Sequence, residues 1–240
     1  MIQDETGHLG GAALTVSSVP RRRLADLAYD ELKRRIISGD LPMGTRLVEA
    51  PLAKGLGLSR APVREAMRRL TKEGLTVEYA HQGTFVCQLD VGSLVDLYNV
   101  RLGLETVAIR LATRRGASTT RLKELVDTMS TAAATGDHLV VARQELEFHA
   151  ALCESSGNQV LAELFRGLEG QLFLAISLDD AGFGDLTEVA REHLPLIEAI
   201  DSGDEHLAAA RIQEHILSTI ELTVERLGGT PTDLLTLNRS

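Results

Sequence analysis

The chain has 240 residues, 44% hydrophobic and 25% charged, which is the balance of a soluble globular protein with one large domain or two ordinary ones. Two cysteines far apart, Cys87 and Cys153, exclude a disulfide framework and a cysteine-based zinc motif, and no apolar run approaches the roughly 18 residues needed to cross a bilayer. The net charge of −9 speaks against a nucleic-acid partner only until it is divided, because residues 20–90 carry 13 Lys+Arg against 9 Asp+Glu while residues 91–240 carry 12 against 23.

Residues 1–20 are rich in Gly, Ser and Thr without periodicity, and they predict a flexible tail with none of the order of a signal peptide. The expected compartment is therefore a reducing cytoplasm. From Leu24, apolar residues at three- and four-residue steps (Leu27, Ala28, Leu32, Ile36) predict a helix that Gly39-Asp40 ends. A second, short helix is expected around Glu49–Leu56, with Pro51 in its first turn, where proline is tolerated. After the tight turn at Gly57-Leu58, Ser59 is placed to cap a third helix that buries Val63, Ala66, Met67 and Leu70 and stops at Gly74. Two β-prone stretches, Leu75–Tyr79 and Thr84–Leu89, flank His81-Gln82-Gly83 as a hairpin. Helix, helix, short turn, helix, hairpin is the order of a winged helix-turn-helix over residues 21–90. In that unit the N-terminal end of the third helix, here Ser59-Arg60-Ala61-Pro62-Val63-Arg64, faces the DNA major groove.

Beyond Asp90 the pattern is helical throughout. Glycines at about twenty-residue intervals (Gly116, Gly136, Gly157, Gly182/Gly184, Gly203, Gly228) are each followed by a capping residue such as Ser118, Asp137, Asn158, Asp185 or Asp204. Stop and start signals in that order predict about six helices packed as an antiparallel bundle over residues 91–228, followed by a tail at 229–240. The expected fold is thus mainly α, with a small β wing near the N-terminus.

Three of the seven histidines fall on apolar stripes of separate helices: His149, His193 and His215. A single inward histidine is usually a hydrogen-bonded core residue; three that converge are harder to explain so. Glu145 precedes His149 by four residues and leaves the same helix face. One carboxylate and three imidazoles suit a divalent transition ion such as Zn²⁺, Ni²⁺ or Mn²⁺; the competing reading is a polar core with Glu145 in solvent. Arg101 stands four residues before Glu105. A second inward candidate, it is either an ordinary i,i+4 helix-face pair with that glutamate or a guanidinium that clamps a carboxylate beside the metal.

Several segments together carry a resemblance. Gly44-Thr45-Arg46-Leu47-Val48-Glu49, Leu52-Ala53, Leu56 through Ala66 and Glu73-Gly74-Leu75 resemble the winged-helix domain of GntR-type transcription regulators. Arg101…Leu104-Glu105, Phe148-His149, Ser156-Gly157-Asn158, Glu192-His193 and His215 resemble the FadR-like effector domain called FCD. The resemblance implies a homodimer that binds a short pseudo-palindromic stretch of double-stranded DNA and responds to a small carboxylate. It implies DNA contacts at Arg46, Ser59, Arg60, Ala61, Arg64 and Gly83, metal ligands at Glu145, His149, His193 and His215, and effector contacts at Arg101 and Asn158. Two departures stand out: Glu145 occupies a position that is Asp in the metal-binding branch, and Ala50-Pro51 stand where relatives carry a polar or basic residue.

The expected function is accordingly a ligand-responsive regulator, most simply a repressor, and not an enzyme. Two alternatives belong beside it. A metal-dependent enzyme would use the same Glu/His set, although no second carboxylate or histidine is placed as an obvious general base. A DNA-binding protein without an effector would leave the polar cluster without a purpose.

Overall fold

A computed structural model describes residues 21–180 and 185–229. The expected tail at 1–20, most of that at 229–240, and Gly182 and Gly184 lie outside the described residues.

The first helix, α1 (Arg21–Ile37), buries Ala25, Ala28, Leu32 and Ile36 along one stripe. A short strand, β1 (Arg46–Leu47), leads into α2 (Glu49–Leu56), whose bounds match the sequence expectation. Gly57 closes α2 in the left-handed region (φ 65°), and the Leu58 amide donates back to the Ala53 carbonyl at 2.9 Å, which seals the helix end. The third helix, α3 (Arg60–Lys72), buries Val63, Ala66, Met67 and Leu70 against α1. Strands β2 (Thr76–Tyr79) and β3 (Gly83–Val86) follow.

The sheet has three strands in the order β1-β3-β2, all antiparallel, with Arg46 opposite Phe85 and Tyr79 opposite Gly83. The hairpin expected from the sequence therefore gains a third strand. Two residues are too few to show alternation, so β1 exists through its ladder with β3 and not through a pattern of its own.

The remainder is helical: α4 (Val91–Arg114), α5 (Thr120–Ala134), α6 (His138–Ser155), α7 (Gln159–Asp180), α8 (Leu186–Arg191), α9 (Leu194–Ser202) and α10 (Glu205–Arg226). Asp90, Asp137, Asp185 and Asp204 each accept a backbone N–H at a helix start, as capping residues should. Thr119, not Ser118, takes the N-cap position of α5, and its hydroxyl donates to Asp201 at 2.8 Å. Helices α4, α5 and α7 surround α6, and α10 packs along α4.

Seven helices stand among the described residues where about six were expected. The extra break separates α8 from α9. Pro195 sits in the first turn of α9, and a proline there cannot continue a helix that runs in from the previous turn. His193 is consequently the N-cap of α9 at a corner of the chain, not a residue in mid-helix.

Candidate metal centre and nucleic-acid interface

Helix α6 presents Glu145 and His149 one turn apart, the α8–α9 corner presents His193, and the middle of α10 presents His215. All four are buried, and one ligand atom of each lies within 4.8 Å of those of the others.

Hydrogen bonds assign the tautomers of two of the three rings, His193 and His149. His193 Nδ1 lies 2.7 Å from the Val189 carbonyl, so this nitrogen donates and Nε2 keeps its lone pair. That Nε2 is buried and has no hydrogen-bond partner. His149 Nδ1 lies 2.6 Å from Glu105 Oε2, which likewise assigns the proton to Nδ1 and the lone pair to Nε2. His149 Nε2 then faces His215 Nε2 at 3.3 Å. Two imidazole lone pairs, on His149 and His193, thus point into a buried cluster that also holds Glu145 and His215, where a cation would engage them. A distal N–H given to a carboxylate, as in His149, or to a backbone carbonyl, as in His193, is the usual support of a metal-ligating histidine. The residues therefore fit a divalent ion, with Glu145 and the three imidazoles as its holders.

Burial sets the charge state. It holds His149 and His215 well below the ordinary imidazole range and His193 at about 4, with the nearby Arg101 charge acting in the same direction. At neutral pH the three rings are uncharged and able to ligate.

Arg101 and Glu105 are both essentially inaccessible, 1% and 0% exposed, so the i,i+4 pair is present but buried, where an ordinary pair of this kind lies in solvent. Arg101 Nε donates to Glu105 Oε1 at 2.7 Å, while Nη1 and Nη2 are buried without hydrogen-bond partners. Burial pushes the Glu105 carboxyl up, and the Arg101 guanidinium opposes that shift. Glu105 thus ties Arg101 on α4 to His149 on α6. Sequence reasoning saw it only as a partner of Arg101, since its link to His149 spans 44 residues.

Asn158 is not brought into this cluster. It is exposed, and its Oδ1 accepts the Leu161 amide at 3.2 Å at the start of α7.

In the winged-helix part, Ser59 holds the N-cap position of α3 with an extended backbone, but its hydroxyl makes no capping bond and is exposed. Arg60 is exposed beside it and Ala61 is half-buried. Arg64 is exposed and pairs bidentately with Glu49 of α2, Nε to Oε1 at 2.6 Å and Nη2 to Oε2 at 2.7 Å. The structure brings Arg46 and Gly83 together: a Cβ on Gly83 (φ 104°) would lie 3.4 Å from the Arg46 guanidinium, which reaches across β3 toward Phe85. Arg64, Arg68 and Lys72 line a groove between α3 and the wing with Glu49, Glu78 and Thr84. Arg68 and Lys72 were missed by sequence reasoning, although Arg60, Arg64 and Arg68 stand four apart and share a helix face.

Comparison with known proteins bears on both halves. Residues 24–86 match the bacterial regulatory proteins of the gntR family, and residues 96–218 match the FCD domain. The chain is 30% identical to the probable D-xylose utilization operon transcriptional repressor of Paenarthrobacter nicotinovorans over 90% of its length and 95% of that protein's. It is 30% identical to the Nta operon transcriptional regulator of Aminobacter aminovorans over 81% of its length and 92% of that protein's. It is 26% identical to the gluconate operon transcriptional repressor of Bacillus licheniformis over 77% and 79%. Among solved structures, a GntR transcriptional regulator from Rhodococcus sp. RHA1 (TM-score 0.70, 22% identity) and McbR/YncC of E. coli (TM-score 0.69, 23% identity) share the fold, each covering 85% of this chain and 98% of their own.

Proposed function

The chain belongs to the GntR family of bacterial regulators with an FCD domain, and from that premise we propose a homodimeric repressor whose affinity for a pseudo-palindromic operator is set by a small organic acid bound beside a metal ion. That it is a transcription regulator and not an enzyme follows from the family. Among the described residues no helix is long and apolar enough to cross a membrane, in keeping with a regulator that works at DNA in the cytoplasm.

One observation carries the effector reading: two unpartnered Nη nitrogens of buried Arg101 lie close to four converging ligand groups. Glu145, His149, His193 and His215 would hold the ion, and when bound it supplies a positive charge with positions open to an oxygen ligand. Arg101 would take a carboxylate through Nη1 and Nη2, the edge that Glu105 leaves free. Glu105 fixes the orientation of both Arg101 and His149. The exclusion of water around these groups strengthens each of these attractions. A relative named for a gluconate operon supports an acid of sugar-acid type. For the signal to reach DNA, the acid must bind one arrangement of the dimer more tightly than another.

Protein loaded with Zn²⁺, Ni²⁺ or Mn²⁺ is expected to be stabilised by at least one hydroxy, keto or sugar acid in a thermal-shift panel. At a hundred times its dissociation constant a ligand adds about 2.7 kcal/mol. Chelated protein should show no such shift. A panel in which no acid stabilises the loaded protein, or in which metal makes no difference, would overturn the effector assignment.

The dimer reading rests on an apolar face. Val100 and Val107 on α4 and Val160 and Leu164 on α7 are exposed, and these two helices pack against each other. A second copy of the chain is the occupant that suits a reader of two half-sites. Val107→Glu places a charge at that face and should convert the protein to a monomer in sedimentation equilibrium, with operator affinity reduced at least tenfold through lost avidity. A Val107→Glu protein that sediments as the wild type does would place the dimer interface elsewhere.

A further inference from the structure

Helix α7 contains two interior glycines, Gly167 and Gly170, in a position where glycine is a poor helix former. Their surroundings differ. A Cβ on Gly167 would meet nothing within 4 Å. A Cβ on Gly170 would fall inside the carbonyl oxygen of Glu73 and would lie 2.7 Å from the Glu73 carbonyl carbon and 3.0 Å from the Leu75 nitrogen. All three are backbone atoms, which cannot swing aside as a side chain can. Glu73 is the C-cap of α3, so at Gly170 the helical half of the molecule touches the end of the helix that bears Arg60 and Arg64.

The neighbouring contacts hold the same seam. Gly74 (φ 75°) would, with a Cβ, meet Gln171 at 3.1 Å. The Glu73 carboxylate accepts from the Tyr29 hydroxyl at 2.6 Å and from Lys33 at 3.1 Å, which fastens the end of α3 to α1. One helix turn along, Ile37 of α1 packs against a small apolar cluster of Ala142, Phe173 and Ile176 that Leu146 also joins. Leu146 directly follows the ligand residue Glu145. Helix α6 therefore carries the metal ligands on one side and a contact with the winged helix on another, and α7 clamps that winged helix where no side chain intervenes.

We propose that Gly170 is a positioning residue that sets the attitude of α3 on the helical domain, so that the α6–α7 pair carries the state of the ligand site to the DNA-reading helix. The proposal rests on the reading of α3 as the DNA reader. The helical cost of a glycine at 170 is thereby explained by backbone-to-backbone contact, and no such contact explains Gly167.

The test uses full-length, Zn²⁺-loaded protein with spin labels on Glu65→Cys of α3 and Glu163→Cys of α7, both exposed positions, diluted with unlabelled chain so that only distances within one protomer are read. Operator affinity is measured in parallel on a duplex selected from a random pool by the wild type. Gly170→Ala should displace or broaden the label distance and weaken operator binding at least tenfold while zinc content stays at the wild-type level. Gly167→Ala, which adds the same methyl group on the same helix, should reproduce the wild type in both measurements. A Gly170→Ala distance distribution that superimposes on the wild type overturns the proposal, as does an equal loss of affinity in both variants. If Gly170→Ala yields no folded, zinc-loaded protein, Ile37→Ala carries the test, a displaced distance supporting the proposal and an unchanged one overturning it. A wild type that holds no zinc or selects no duplex strikes the functional reading above, and the label distances still decide the seam.

Discussion

Replacing His193 with alanine is expected to leave a folded protein that has lost its metal. Wild-type protein purified without chelators should carry about one divalent transition ion per chain by elemental analysis, and the variant close to none. The reason lies in the ring's hydrogen bonds. His193 Nδ1 is spent on the Val189 carbonyl, and its Nε2 lies buried with no partner, so the ring contributes nothing at Nε2 unless a cation is there. His149→Ala removes a ligand and also leaves the Glu105 carboxylate without the N–H it accepts, so it should cost metal and stability together. Glu105→Gln touches no ligand atom and still should weaken metal binding by about 10- to 100-fold, the usual effect of disturbing a residue that orients a ligating histidine. His206→Ala, at an exposed position near the start of α10, is the control and should retain wild-type metal. Equal metal content in wild type and His193→Ala, or a wild type that carries none, would return the cluster to an ordinary polar core.

The sequence made the reader legible almost residue by residue because its signals are local. Pro51, Gly57, Ser59 and Gly74 each mark a boundary within the turn or cap where they act, and α2 falls on its expected bounds. The histidines were found for a related reason: each sits on the apolar stripe of its segment, and a polar residue on such a stripe shows as an exception. What escaped was non-local. Strand β1 exists only by pairing with β3, Glu105 acquires its role from a helix 44 residues away, and Gly170 is explained by a carbonyl in another part of the fold. His193 was placed correctly as an inward residue but on the wrong element, because the apolar spacing runs on across Pro195 while the backbone does not. Asn158 is the helix-starting residue that its place after Gly157 predicts, while the effector contact implied by the resemblance lies outside the cluster that the structure assembles.

Arg64→Ala is expected to lower operator affinity by about 1–3 kcal/mol, a factor of about 5 to 150, and to relax base preference at one position in each half-site. The pair with Glu49 is what makes Arg64 the sharper test than its neighbours. Glu49 takes the Nε and Nη2 side of the guanidinium, which leaves the Nη1–Nη2 end of the fork free of this partner. That end presents two parallel donors, the arrangement that matches O6 and N7 of guanine. Because both partners are substantially exposed, the pair adds little to folding stability, and its removal should leave the unfolding transition unchanged. Its effect is to hold a long side chain ready, so that less rotamer freedom is lost on binding. Glu49→Gln should therefore weaken operator binding less than Arg64→Ala does while leaving the same base preferred. If Arg46, beside Gly83 on the wing, contacts phosphate and not a base, Arg46→Ala should weaken binding evenly across sequences and lower the slope of log affinity against log salt by about one. Fluorescence anisotropy over a salt series, on the selected duplex and its single-base variants, separates the two behaviours. An Arg64→Ala protein with wild-type affinity and unchanged base preference would show that Glu49 holds this arginine away from the bases, and base reading would then fall to Arg60 at the open end of α3.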